Sequence, residues 1–397
     1  MRSPQTTFVP VLLLFAVVPL SASSPWTVLW TAPAILISSV LIAWGAESAQ
    51  FFIAQGFALA ILAWLQTAPE FAVEAVLAWN RRVPDLLANL TGALRLLTGL
   101  GWPIIYLTAA TVKRKRDGTP LKSIQLHEHH AVEVMGLLLP LLYMCYVAFS
   151  GSLTIWDGIV LVVFYTAYLI VLSKLPPEEK ETLEELETVP RYVVMAPAMK
   201  RNVIIGALFL GGGLLIYFSA EPFLASILAL AATMGVPEFV AIQWIAPLIS
   251  EFPEMASTFY WARKVDDAPV ALMNMVSSNI NQWTLLTAML PMLLSASYGA
   301  VTPIVFDERQ KIELLMTLGQ AIIGWLFLAN MRLDWWEAAM LFVLFVLAFV
   351  RHDWAWTITY IYAAWIVVEL VRMAIGKAKP AAFHEFAEIW KTHITSH

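Results

Sequence analysis

Two short segments of this chain place a carboxylate directly after a proline within an otherwise apolar run. One reads Gln66-Thr67-Ala68-Pro69-Glu70, the other Ser250-Glu251-Phe252-Pro253-Glu254. A carboxylate at bilayer depth costs several kcal/mol unless it is paired or put to use. A proline inside a helix removes a backbone hydrogen bond and leaves carbonyl oxygens to be satisfied. One bound cation would meet both needs. Carboxylate, amide, hydroxyl and backbone oxygens together suit a hard cation such as Ca²⁺ rather than zinc or copper. Two further carboxylates share those helix faces: Glu74, one turn after Glu70, and Glu251, one turn before Glu254. Each is a second ligand, a proton carrier or a salt-bridge partner.

The two segments belong to an internal repeat. The first half carries Gly45-Ala46-Glu47, then Pro69-Glu70, then Ala88-Asn89-Leu90-Thr91-Gly92-Ala93. The second carries Ser219-Ala220-Glu221, then Pro253-Glu254, then Met273-Asn274-Met275-Val276-Ser277-Ser278-Asn279. The order of the three segments is the same in both halves. The step from Glu70 to Asn89 matches the step from Glu254 to Asn274 to within a single position.

The elements that must position these residues are membrane helices. The chain has 397 residues, 60% of them hydrophobic and 13% charged, with net charge −5 and mean hydropathy +0.72. Soluble domains carry about 25% charged residues. This composition excludes a water-soluble enzyme and a disordered chain. It offers no basic domain for nucleic acid, and the lone Cys145 excludes a disulfide framework. The apolar runs are Phe8–Ala22, Trp26–Ile53, Gly56–Trp79, Leu86–Ala110, Ala131–Phe149 and Leu153–Ser173, followed by Val203–Ile227, Val236–Trp261, Ala268–Leu294, Ile312–Asn330, Trp335–Val350 and Trp354–Ile375. Continuous runs of this length read as helices. Phe8–Ala22 is either a signal peptide or a retained first helix.

Five spans separate equivalent helices, so the halves should insert in opposite directions, with a site at the midplane. The expected fold is an all-α polytopic membrane protein: two inverted five-helix repeats plus extra helices at both ends. The expected divisions are an N-terminal hydrophobic segment over 1–25, repeats over 26–174 and 202–351, an acidic linker over 175–201, and a C-terminal helix with an amphipathic tail over 352–397. Placing the Lys113–Arg116 stretch in the cytoplasm puts 18 of the 24 basic residues inside, 5 outside and Arg95 within a helix. The C-terminus is then cytoplasmic. The plasma (inner) membrane is the expected location, and the bilayer and the transported cations are the expected partners.

The repeated segments resemble those of the cation/Ca²⁺ exchanger superfamily, the Na⁺/Ca²⁺ and H⁺/Ca²⁺ antiporters. That family carries Gly-x-Ser/Thr-x-Pro-Glu and Gly-Asn-x-x-Gly-Ser-Asn in its repeats. The resemblance implies cation ligation by Glu70 and Glu254, with Thr67 and Ser250 at hydroxyl or carbonyl ligand positions. It also implies that Asn89, Asn274, Ser278 and Asn279 belong to the binding segments, and that no cofactor is needed beyond the transported ions. The chain departs from the pattern at Ala93-Leu94, where the first half lacks Ser-Asn, and at Leu97. Asn281 and Gln282 stand at the corresponding second-half position. Arg95 is expected either to pair with Glu70 or Glu74, or to fill the place of a second cation as a tethered charge.

Other readings compete. Glu47 and Glu221 are vestibule acids or interfacial helix ends. The stretch His127-Glu128-His129-His130 with Glu133 raises a membrane-embedded metal-dependent enzyme, although Ala131 breaks the His-Glu-x-x-His spacing. A sensor that binds ions without exchanging them is a further alternative. The glutamate-rich loop Pro176–Arg191 reads as a solvated linker or a weak cation patch.

Overall fold

The computed structural model describes residues 24–49, 51–52, 67–175, 186, 188–376 and 379–395. Phe8–Ala22, the first part of the run Gly56–Trp79 and most of the acidic loop lie outside the described residues. In chain order come α1 (Val28–Ala49), α2 (Ala68–Trp79), α3 (Val83–Asp117), β1 (Ser123–Gln125), α4 (Ala131–Ser150), β2 (Ser152–Leu153) and α5 (Ile155–Leu172). Next are α6 (Thr188–Val194), α7 (Ala198–Met234), α8 (Glu238–Ser250), α9 (Phe252–Ala262), α10 (268–298) and β3 (Ile304–Val305). The chain continues through α11 (Glu308–Leu328), β4 (Arg332–Asp334), α12 (Trp335–Val350), α13 (Ala355–Ala374) and α14 (Ala381–Ile389). Among the described residues, α1, α3, α4, α5, α7, α11 and α13 are long and apolar enough to cross a membrane, and α8 and α12 are shorter apolar helices.

The helices follow the apolar runs, and α3 and α7 overrun theirs at both ends. The run Val203–Ile227 becomes α7, which starts at Ala198 and continues to Met234 before Gly235 ends it in the left-handed conformation at φ 67°. A helix does not stop where lipid stops, because its backbone bonds remain favourable in the interface. A glycine at the first residue beyond the helix takes the left-handed conformation at least cost.

Two compact units divide the chain: 1–77 with 176–253, and 78–175 with 254–397. In the first, α1 lies along α7 around Ala34, Leu41, Val193, Leu208 and Leu215. Small residues permit the close approach, as is usual between membrane helices. A Cβ on Gly212 would stand 2.7 Å from Ile42 and 2.9 Å from the Ser38 carbonyl. Thr31 and Ser226 share a buried hydrogen bond of 3.1 Å across the same seam.

In the second unit α11 packs against α3, α4 and α13. Gly324 admits Trp102 and Gly319 admits Tyr362, and the Trp325 indole donates to the Val134 carbonyl at 2.8 Å. Two antiparallel ribbons tie the loops. β1 pairs with β4, Ser123 opposite Asp334, and β2 pairs with β3, Ser152 opposite Val305. β1 lies between the third and fourth helices of its half, whereas β4 lies between the fourth and fifth of the other. Each strand therefore pairs with a loop one helix out of step. Successive loops of a spanning chain alternate sides, so this pairing requires the two halves to insert in opposite directions.

Candidate cation site

Each Pro-Glu pair opens a helix. Pro69 is the second residue of α2 and Pro253 the second of α9. Both prolines lie within apolar runs of the sequence, and a described helix begins one residue before each. In the first turn of a helix the missing N–H has no partner to lose. The run Val236–Trp261 is split accordingly: α8 ends at Ser250, Glu251 bridges, and α9 begins at Phe252. Glu70 and Glu254 thus sit in first turns, where the unshared N–H groups favour negative charge. Both are buried, at 1% and 3% exposure.

In the first unit, Thr67, Glu70, Glu74, Ser250 and Glu251 are all buried. The Ser250 hydroxyl donates to Glu70 Oε2, so the end of α8 meets the start of α2 through an oxygen pair. In the second unit, Glu254, Asn89, Ser278, Asn279 and Gln282 are buried and Asn274 is half-buried. The Thr258 hydroxyl returns to the Glu254 carbonyl at 2.9 Å. Asn279 donates to the Met275 carbonyl at 3.0 Å and accepts from the Thr98 hydroxyl at 3.2 Å. Sequence reasoning misses Thr98, because its own repeat-mate, Trp283, is not a polar ligand.

A shared irregularity marks the third helix of each half. α3 passes through a π turn at Leu97–Gly101, and α10 passes through one at the repeat-related stretch Gln282–Leu286. Such turns offset backbone carbonyls from the regular ladder and occur often at functional sites. The Thr287 hydroxyl answers one of them, donating to the Gln282 carbonyl at 2.7 Å.

Arg95 is buried on α3, and its Nη2 lies 2.7 Å from Glu313 Oε2 on α11. Its Nε donates to the Thr91 carbonyl at 3.1 Å, and its own carbonyl accepts from Gln320 at 2.9 Å. Glu313 is a partner that the sequence reading misses. A signal is present in the sequence: Glu313 and Glu133 are repeat-mates, related by the same offset as the helix-start pairs Thr154–Asp157 and Asp334–Glu337.

The histidines close on themselves. His127, His129 and His130 bring ring nitrogens within 4.8 Å of one another. His130 Nδ1 accepts the His127 backbone N–H at 3.2 Å, which commits that lone pair. This is a helix-start arrangement leading into α4.

The sodium/calcium exchanger protein model matches residues 23–174 and 204–351. Among solved structures, the H⁺/Ca²⁺ exchanger CAX is 30% identical, with a TM-score of 0.85 over 97% of this chain and 94% of that one. YfkE is 14% identical, with a TM-score of 0.59 over 86% of this chain and 98% of its own. The sodium-calcium exchanger NCX_Mj is 16% identical, with a TM-score of 0.52 over 81% of this chain and 95% of its own. The last two likenesses are of fold. No curated protein sequence matches the chain.

Proposed function

Because the chain belongs to the sodium/calcium exchanger family, we propose that it is a secondary-active antiporter moving Ca²⁺, or a related divalent cation, against H⁺ or Na⁺. The family consists of transporters, so the membrane-enzyme alternative falls. The observation that carries the reading is the repeated Pro-Glu turn, a buried carboxylate in the first turn of a helix in each half. Two such carboxylates have the charge a dehydrated divalent cation requires.

Glu70 and Glu254 ligate the cation. Thr67, Ser250, Asn89, Asn274, Ser278 and Asn279 supply neutral oxygens or hold the ligands in place, and Glu74, Glu251 and Gln282 tune the charge around them. The two inverted halves give the protein two related conformations, so that the cation is taken from one side and released to the other. The proton is the favoured counter-ion: the carboxylates at Glu74 and Glu251 can carry one, and the relative at 30% identity is an H⁺/Ca²⁺ exchanger. The protein works in the plasma (inner) membrane with its C-terminus in the cytoplasm, following the basic-residue bias.

The test is Ca²⁺ flux into proteoliposomes with Na⁺ and pH varied independently. A flux driven by a pH gradient without Na⁺ is expected. Ca²⁺ binding with no flux under any gradient would leave the ion-sensor alternative in its place.

A further inference from the structure

The ion pair between Arg95 and Glu313 has a repeat-related counterpart in which isoleucine stands at the arginine's position. The offset that relates the two π turns carries Arg95 on α3 to Ile280 on α10, and the offset that relates the helix-start pairs carries Glu313 on α11 back to Glu133 on α4. The counterpart packs alike: Gly136, one turn beyond Glu133, lies against Ile280 and Tyr168, just as Met316, one turn beyond Glu313, lies against Arg95. One backbone arrangement thus occurs twice, with a guanidinium in one copy and a hydrocarbon in the other. The pair is deeply buried, with side chains 1% and 10% exposed. Nothing in the packing requires a charge there, since the second copy uses isoleucine.

We propose that Arg95 is a built-in, non-exchangeable cation that occupies Glu313 permanently and so fixes how many ions the transporter counter-transports per Ca²⁺. This deepens the exchanger reading and rests on it. A carboxylate in a dry helical interior must be neutralised by a proton, a bound cation or a fixed positive side chain. A proton or Na⁺ that serves this purpose comes and goes with the transport cycle, whereas a guanidinium does not. The guanidinium is covalently part of α3 and is anchored by its bond to the Thr91 carbonyl. Gln320 bonds the Arg95 carbonyl at 2.9 Å and accepts from Tyr362 at 3.3 Å, which fixes the face of α11 against α3. Arg95 is therefore a positioning and selectivity residue acting through Glu313. The titratable groups on the elements packed against α11 are, besides Arg95, Asp85, Tyr106 and the cluster 113–117 on α3, Glu133, Tyr143, Cys145 and Tyr146 on α4, Glu337 on α12, Tyr360, Tyr362, Glu369 and Arg372 on α13, and Arg332 and Asp334 on β4.

The experiment measures Ca²⁺ flux in proteoliposomes across a pH series, with and without Na⁺, for wild type, Arg95→Leu, Glu313→Gln and the double variant. Removing the guanidinium obliges a mobile cation to neutralise Glu313. Arg95→Leu should therefore gain several-fold Na⁺ stimulation, or move its pH profile upward. The double variant, with no charge at either position, should lose that gain and keep the wild-type ion profile. Folded Arg95→Leu with an unchanged profile overturns the proposal, as does a double variant that keeps the gain. Should Arg95→Leu not fold, Glu313→Gln decides: an unopposed guanidinium should raise the half-saturating Ca²⁺ concentration several-fold. Lower yield with unchanged half-saturation would mark a brace between helices and overturn the proposal. Failure of the exchanger reading is separately visible as wild-type protein whose flux is indifferent to Glu70→Gln and Glu254→Gln.

Discussion

The third helices of the two halves, α3 and α10, share a backbone and differ in chemistry. Both start with Pro one residue inside, both carry an asparagine at the repeat-related position, and both pass through a π turn at the same offset. From the asparagine onward α10 presents Ser277, Ser278, Asn279 and Gln282, whereas α3 presents Gly92, Ala93, Leu94 and Leu97. The one strongly polar side chain of that stretch in α3, Arg95, is committed to Glu313. Backbone geometry is dictated by the symmetry of packing, since each third helix faces the fourth helix of the opposite half. Oxygen donors answer to the ion instead, and nothing obliges the halves to share them equally.

The largest effects should come from the carboxylates that the halves do share. Glu70→Gln and Glu254→Gln should each reduce Ca²⁺ uptake to that of empty vesicles while leaving the protein monodisperse. Equal, complete losses would mean that both halves contribute charge to the ion. Full uptake by both variants would break the assignment.

Next comes the unequal share. Asn279→Leu gives α10 the residue that α3 has at the matching position. It should weaken apparent Ca²⁺ affinity by about tenfold, because a lost hydrogen bond or neutral ligand is worth about 1.4 kcal/mol. Substituting Leu94 by Ala should leave affinity unchanged. Flux titrations against Ca²⁺ compare the two, and equal losses would overturn the asymmetric reading.

A third comparison concerns stability. Gly99 lies in the π turn of α3, where a Cβ would stand 2.6 Å from both Gln320 Nε2 and Phe345 Cβ. Gly99→Ala should destabilise the protein by about 1–3 kcal/mol through overpacking. Its repeat-mate in α10 is Thr284, whose hydroxyl bonds the Ile280 carbonyl at 2.5 Å, and Thr284→Ala should cost less. Thermal unfolding in detergent ranks them. The smallest effects belong to the helix-start pairs of the fifth helices, Thr154–Asp157 and Asp334–Glu337. Thr154→Ala and Asp334→Ala should each cost about 1 kcal/mol, and a large difference between them would show that the two starts are not equivalent.

Hydropathy made the spans legible, because lipid leaves helices little choice, and the Pro-Glu spacing made the repeat legible. The exact breaks were not. Within the apolar run Val236–Trp261, Pro253 marks a break, but proline fits a kink as well as a new helix start, so the interruption at Glu251 is not legible to the residue. The π turns were also hidden: the one in α3 packs against α12 and the one in α10 against α5, long-range neighbours that the local sequence does not show. Glu313 escaped because a glutamate near a helix start reads as an interfacial acid until its partner on a distant helix is known. The strands β1 to β4 are two or three residues long, too short to leave a period-two pattern.

Those strands bear on how such a chain could arise. Each ribbon joins a loop between third and fourth helices to a loop between fourth and fifth helices of the other half, and the two ribbons are copies of one relation. A half-length chain meeting an identical copy inserted the opposite way would form the same ribbon on each face of the membrane. Fusion of the two copies would then preserve both contacts without inventing either. It would also impose an order on biosynthesis, because Ser123 meets Asp334 only after most of the second half has left the ribosome.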